Sequence, residues 1–289
     1  MTVSVIIITR NRFKQLKNCL DCLMAQTSFP QEVLIVDSSD NGETKKLVEK
    51  YQKSAKPKII YHKVSHVSVS FSRNQGLKRA NGDIIAFTDD DCYPLRDWIK
   101  EIIKAHQGFP EAMAIGGRVI NKNTQNFWAG TASRMQAVYM LSSGTIHEEP
   151  FLLTSNLSLK KNIILKEKMF FDEELLGGED VDLCRRLKEK GYKVLYNPKI
   201  VVEHDFRTSL KGFLSQWFFY GKSSVRVCRK NNYSLAKVFL DEFLSFRGEK
   251  IFKFKLGIFL GRISWALGFF YELLDIKFFK KIAINRENL

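Results

Sequence analysis

Three consecutive aspartates, Asp89-Asp90-Asp91, stand directly behind the apolar run Ile84–Thr88. A β-rich run that ends in carboxylates puts negative oxygens at the carboxyl end of a strand, which is where open α/β sheets bind ligands. Residues two apart on an extended segment point the same way. Asp89 and Asp91 are therefore expected to converge on one hard divalent cation while Asp90 faces elsewhere. Mg²⁺ and Mn²⁺ take carboxylate oxygen and commonly share it with substrate phosphates. A solvated acidic turn is the plainer alternative, but three unneutralised charges at a buried strand end would repel one another.

Five further positions carry types that could do chemistry. Asp37 ends another apolar run, Glu32–Val36, and reads either as a turn former before Asn41-Gly42 or as an acceptor for a nucleobase or ribose edge. Arg73 is either a solvated helix charge or a planar fork for a diphosphate or base. Glu179 and Asp180 open a helical pattern, where acids complement the helix dipole. Asp180 also shares a helical face with Cys184 and Leu187, and a carboxylate in apolar company can move toward neutrality and serve as a general base. His204 follows the apolar run Ile200–Val202 between two acids and is a candidate further metal ligand.

The elements that must hold these groups are legible in outline. Buried strands are expected at Val3–Ile8, Glu32–Val36, Lys58–Tyr61, Ile84–Thr88 and Met113–Ile120. Helices are expected over Leu16–Leu23, Glu43–Gln52, Ser70–Ala80 and Glu179–Lys190, with a helix or lid-like segment over Phe127–Leu141. Leu152–Lys160 contains an alternating run, and Asn197-Pro198 separates a strand at Lys193–Tyr196 from a run at Ile200–Val202. Strands alternating with helices at this spacing imply βαβ units and a mainly parallel sheet.

The 289 residues suffice for one large α/β domain with an appendage. The five cysteines are scattered, so nothing demands an oxidising compartment. The first residues lack a signal-peptide pattern, and a cytoplasmic location is expected. The net charge of +15 is uneven: Phe206–Leu289 holds 16 Lys/Arg against 6 Asp/Glu, and 19 of the 36 aromatic residues. That composition suggests a membrane surface or nucleic acid.

Taken together, the segments Val3–Arg10, Val33–Gly42, Phe71–Gly82, Ile84–Pro94 and Gly177–Gly191 resemble, in order and spacing, a family 2 glycosyltransferase. The resemblance covers roughly Val3–Asp205. It implies an α/β GT-A fold, Rossmann-like, with a mainly parallel sheet and flanking helices, in residues 1–205. Residues 206–289 form a C-terminal helical, basic and aromatic extension. It also implies inverting transfer of a sugar from a nucleoside-diphosphate sugar to an acceptor hydroxyl. By that resemblance Thr9, Asp37 and Arg73 contact the nucleoside, and Asp89 and Asp91 hold Mn²⁺ or Mg²⁺ against the diphosphate. Asp90 contacts the ribose or its neighbours, and His204 is a further metal ligand. Asp180 is the catalytic base, and Glu179 orients the acceptor or a sugar hydroxyl. The rival reading is a catalytically idle scaffold of the same fold that binds nucleotide or partner proteins.

Leu256–Leu274 is long enough to tempt a transmembrane reading. Arg262 and Glu272 oppose it, since a central Arg costs about 2.5–3.5 kcal/mol on insertion scales. Gly257, Gly261, Ser264 and Gly268 fall on one stripe suited to close helix packing, with Phe259, Ile263 and Phe270 elsewhere. Peripheral docking on an anionic membrane at the inner face of the cell is the preferred expectation. It points to a lipid-linked or cell-surface glycan intermediate as acceptor. A helical hairpin capping the catalytic domain, or a homodimer interface, is the alternative. Nucleic acid is not expected, because the basic residues accompany long apolar runs and form no known nucleic-acid motif.

Overall fold

The computed structural model describes residues 1–53, 56–137, 144–244 and 254–287. The chain begins with four strands, β1 (Val3–Thr9), β2 (Glu32–Asp37), β3 (Lys58–Lys63) and β4 (Ile84–Asp89). They are separated by the helices α1 (Phe13–Met24), α2 (Glu43–Tyr51) and α3 (Val69–Arg79). β1, β2 and β4 are buried along almost their whole length, so both faces must be covered, which is the condition under which parallel sheets form. Alternate residues divide between two cores. Val5, Ile7, Val33 and Ile35 pack with Leu16 and Leu20 of α1, while Ile6, Leu34, Val36 and Phe87 pack with Leu77 of α3.

β5 (Cys92–Pro94), α4 (Trp98–Gly108), β6 (Ala112–Asn121), α5 (Phe127–Ala137) and β7 (His147–Glu148) come next. A short 3₁₀ turn at Thr154–Asn156 leads into β8 (Leu157–Lys160), α6 (Lys161–Lys166), α7 (Glu179–Glu189) and β9 (Lys193–His204). The sheet order is β3-β2-β1-β4-β8-β6-β9-β5, with β7 paired to β9. β1 is parallel to both β2 and β4, so the chain order reverses across it and a crevice opens at the carboxyl ends of these strands. The antiparallel strand β8 joins this half to β6 and β9.

Some expectations change in detail. The alternating run at Leu153–Leu159 is half 3₁₀ turn and half strand. β9 is one strand rather than two. Its pairing with β6 jumps from Gly117↔Asn197 to Arg118↔Val201, and the surplus residues bulge out. Gly117 permits this, because a Cβ there would lie 2.0 Å from the Ile200 carbonyl oxygen. The Asn156 amide donates to that same carbonyl at 3.0 Å. Of the expected helix Phe127–Leu141, residues 138–141 lie outside the described residues.

The chain divides into two compact units, Met1–Lys122 with Met140–Asp205, and Asn123–Tyr139 with Phe206–Leu289. The second contains α5 and three further helices, α8 (Leu210–Lys230), α9 (Leu235–Leu244) and α10 (Lys255–Glu287). The stripe of small residues on α10 is consumed inside this unit. Gly261 meets Met135 of α5 and Phe213 of α8, and Gly268 lies against the Phe218 backbone. The Ser264 hydroxyl donates to the Leu214 carbonyl at 2.7 Å. Among the described residues, Lys255–Asp275 is the one stretch long and apolar enough to cross a membrane. Its Arg262 and Glu272 are buried, and Glu272 accepts from Arg226 Nε of α8 at 2.7 Å.

Candidate active site

The Thr9–Arg12 corner, the Asp turn and the starts of α3 and α7 meet at the carboxyl ends of β1 and β4. β1 delivers Thr9, whose hydroxyl donates to Asp90 Oδ2 at 2.7 Å. Two residues later Asn11 turns through the left-handed region, φ 55°, a conformation Asn tolerates better than most. The corner is pinned on both sides, since Asn11 N donates to Ser39 Oγ at 2.7 Å and Asp40 N donates to Asn11 Oδ1 at 3.0 Å. The turn aims Arg12 back across the strand ends. Its guanidinium lies 3.2 Å from Asp90 Oδ1 and 2.5 Å from Asp91 Oδ2.

β4 ends at Asp89, and Asp90 and Asp91 form a turn. The alternation expected to align Asp89 with Asp91 therefore stops one residue in. Asp90 does not face away: it is buried beside Asp91 and shares Arg12 with it. Asp89 instead pairs with Arg73 at 3.2 Å. Burial pushes Asp90 up to about 7, against the pull of Arg12 and Thr9. Burial also presses Asp91 upward, but the hydrogen bond and charge of His204, joined by Arg12, prevail and hold it below the ordinary carboxylate range.

His204 arrives by strand register. Cys92 pairs with His204 across the β5–β9 ladder, and the Asp205 amide donates to the Asp91 carbonyl at 3.0 Å. His204 Nε2 then stands 3.3 Å from Asp91 Oδ1. Ligand atoms of Asp91, Cys92 and His204 all fall within 4.8 Å of one another. Burial raises the Cys92 thiol well above its usual range, so it stays protonated and a poor ligand. Carboxylate oxygen with imidazole nitrogen is a donor set that suits Mn²⁺, and the oxygens suit Mg²⁺.

Arg73 links the Asp turn to the second acid pair. Ser68 caps α3 by accepting from Phe71 N at 3.0 Å, and Arg73 projects from the next turn into a buried position. Its guanidinium bridges Asp89 and Glu179. α7 begins after Gly178, left-handed at φ 75°, a backbone setting glycine adopts without strain. Asp180 accepts from its neighbour Val181 N at 2.9 Å and from Thr154 N at 3.3 Å. Burial, and then the charge of Glu179, push Asp180 up to about 7 despite Arg73. A carboxylate poised near neutrality can take a proton from a hydroxyl.

Asp37 is fully buried at the end of β2. Its Oδ1 accepts from Ser39 N at 2.8 Å and its Oδ2 from the Tyr61 hydroxyl at 2.7 Å. The turn-forming reading is thus realised at Asp37, one strand away from Thr9. The sequence reading passed over Arg12, Tyr61 and Thr154. An arginine three residues past a strand is unremarkable until Asp91 is brought beside it.

Residues 4–164 match the family described as glycosyl transferase family 2. A Methanococcus voltae protein is 28% identical over 256 residues, spanning 84% of this chain and 78% of the relative. It is named dolichyl N-acetyl-alpha-D-glucosaminyl phosphate 3-beta-D-2,3-diacetamido-2,3-dideoxy-beta-D-glucuronosyltransferase. A glucosyl-dolichyl phosphate glucuronosyltransferase of Haloferax volcanii is 24% identical over 245 residues, 77% of this chain and 76% of the relative. Among solved structures, a mannosyltransferase from Pyrobaculum calidifontis in complex with GDP-Man and Mn²⁺ superposes with a TM-score of 0.60. It is 19% identical, and the match covers 92% of this chain and 73% of that one, a likeness of fold.

Proposed function

Because the chain belongs to glycosyl transferase family 2 and has the GT-A fold, we propose that this glycosyltransferase works by single displacement with inversion at the anomeric carbon. The observation that carries the reading is Arg73, which ties the Asp turn to the Glu179-Asp180 helix start and so joins two acid pairs in one site. Asp180 takes the proton from the acceptor hydroxyl as its oxygen bonds to the anomeric carbon and the bond to the diphosphate breaks. Glu179, fixed by Arg73, orients the acceptor or a sugar hydroxyl. Thr9, Asp37, Arg73 and Asp90 shape the donor side, along the strand ends where open α/β sheets take nucleotides. Asp91 and His204, with Asp89 alongside, would hold Mn²⁺ or Mg²⁺, which when bound neutralises charge on the leaving diphosphate.

A lipid-linked or cell-surface glycan intermediate is the acceptor class this reading favours. Two relatives carry names that specify dolichyl-linked substrates, and α10 offers an exposed apolar stripe through Phe259, Ile263, Leu267, Phe270 and Leu274. That stripe, in a basic region, suits peripheral contact with an anionic membrane at its cytoplasmic face. The test is to screen UDP-, GDP- and dTDP-sugars with Mn²⁺ by thermal shift, then to determine the anomeric configuration of the product by NMR. Inversion supports the mechanism, and net retention from a single turnover overturns it.

A further inference from the structure

Each aspartate of the turn already has a cation from its own chain, so mutual repulsion does not by itself call for a metal. Arg73 lies 3.2 Å from Asp89. Arg12 spans Asp90 and Asp91. His204 Nε2 faces the second oxygen of Asp91. With a guanidinium on one Asp91 oxygen and an imidazole on the other, a divalent cation binding there is repelled by the guanidinium charge, which favours moving that partner away.

The three partners, Arg73, Arg12 and His204, differ in their freedom to yield. Arg73 is buried between two carboxylates. His204 is set by the β5–β9 ladder and is only 13% exposed. Arg12 stands at the start of α1 with its side chain 30% exposed, on a corner whose backbone is pinned at Asn11. Its backbone is therefore fixed while its long side chain has solvent to move through. A guanidinium is also suited to bind two phosphate oxygens at once.

We propose that Arg12 is a resident counter-ion of the acid cluster, one that swings off Asp91 when a divalent cation and a nucleoside diphosphate arrive together and then pairs with the diphosphate. This rests on the reading of Asp91 as a metal ligand. A cation arriving alone displaces Arg12 from Asp91 and leaves the guanidinium with one of its two carboxylates, Asp90. A cation arriving with a diphosphate supplies a replacement for the lost one. The two ligands consequently favour each other's binding, a coupling carried by one side chain.

The experiment is a titration of MnCl₂ into wild type, Arg12→Gln and Arg12→Lys, with and without UDP or GDP, reading free Mn²⁺ by electron paramagnetic resonance. Arg12→Gln should bind Mn²⁺ alone about two- to fivefold more tightly, as expected for removal of a competing ion pair, and should lose most of the gain that UDP or GDP gives. Arg12→Lys should keep the weak affinity for Mn²⁺ alone. If wild type binds Mn²⁺ and Arg12→Gln binds it no more tightly, this inference falls and the metal reading stands. If no protein binds Mn²⁺ under any condition, both fall. A measurement on wild type removes any dependence on how the variants fold. The Arg12 Nε–H NMR signal should move when MgCl₂ and UDP or GDP are added together, and a signal unmoved by saturating ligand overturns the inference.

Discussion

His204 stands directly across the β5–β9 ladder from Cys92, and that pairing sets its imidazole 3.3 Å from Asp91 Oδ1. The ladder, not a loop, fixes this distance, so the imidazole is held ready as a second donor beside a carboxylate. His204→Gln should weaken Mn²⁺ binding in the presence of UDP or GDP by about tenfold or more, in the range typical for losing groups that orient or complete a metal site. Isothermal titration calorimetry reads this. Unchanged affinity would remove His204 from the metal set.

Asp180 gives a pH dependence of definite sign. As a base it must be ionised, so the transfer rate should rise with pH through about 7, where burial and the neighbouring Glu179 place it. Stability runs the other way. A carboxyl whose native pKa is raised contributes stability that is fully present below its ordinary value of 3.8 and is lost as pH rises through about 7. Asp180→Asn should abolish transfer, retain nucleotide binding and flatten that part of the stability profile. A variant that turns over at the wild-type rate would exclude Asp180 as base.

Arg73 neutralises Glu179 in a position where both side chains are less than a tenth exposed. Arg73→Gln leaves a buried carboxylate without its cation, a change that typically costs about 3–5 kcal/mol. Urea denaturation should show that loss together with loss of transfer. A stability change below about 1 kcal/mol, the scale of exposed pairs, would mean the pair is not buried in solution.

Two glycines of the second unit, Gly221 on α8 and Gly268 on α10, lie directly against the backbone of the facing helix. A Cβ at Gly221 would lie 1.9 Å from the Trp265 carbonyl oxygen, and one at Gly268 would lie 1.9 Å from that of Phe218. Backbone atoms on packed helices cannot yield as a side-chain tip does. Gly221→Ala and Gly268→Ala should each destabilise by about 1–3 kcal/mol, the usual cost of overpacking. Gly42→Ala, where nothing lies within 4 Å of the added carbon, is the control. Thermal melts that fail to separate the two classes would contradict the packing.

The exposed stripe on α10 predicts how the protein meets lipid. Leu267→Glu and Phe270→Glu should lower co-sedimentation with phosphatidylglycerol vesicles at low salt while leaving the melting temperature near wild type, because both positions are exposed. If wild type itself stays in the supernatant, membrane docking is excluded and the enzyme reading is untouched.

The parallel half of the sheet was legible because strands buried on both faces read as unbroken apolar runs, and Val33–Val36 or Ile84–Phe87 admit little else. The acids were legible by their place behind those runs. Where the reading went astray, the missing information was tertiary. Alternation through Asp89-Asp90-Asp91 assumes an extended chain, and the chain turns at Asp90. Asn197-Pro198 carries a turn signal, yet a bulge opposite Gly117 absorbs it within one strand. Arg12 has no local mark at all, since its partner lies 79 residues away. The small residues of α10 did announce close packing, but the partner helices became evident only in three dimensions.

Arg73 and Glu179 are 106 residues apart in the chain, and His204 follows later still. On the ribosome, where chains emerge from the amino end at about 5–20 residues per second, β1–β4 appear first and Arg73 waits several seconds for Glu179. The catalytic unit therefore closes from its last-made piece. A product released before α7 has emerged would carry the Asp turn without Glu179 and Asp180. Until α7 arrives, Asp89, 16 residues further along the chain, is the counter-charge that Arg73 has.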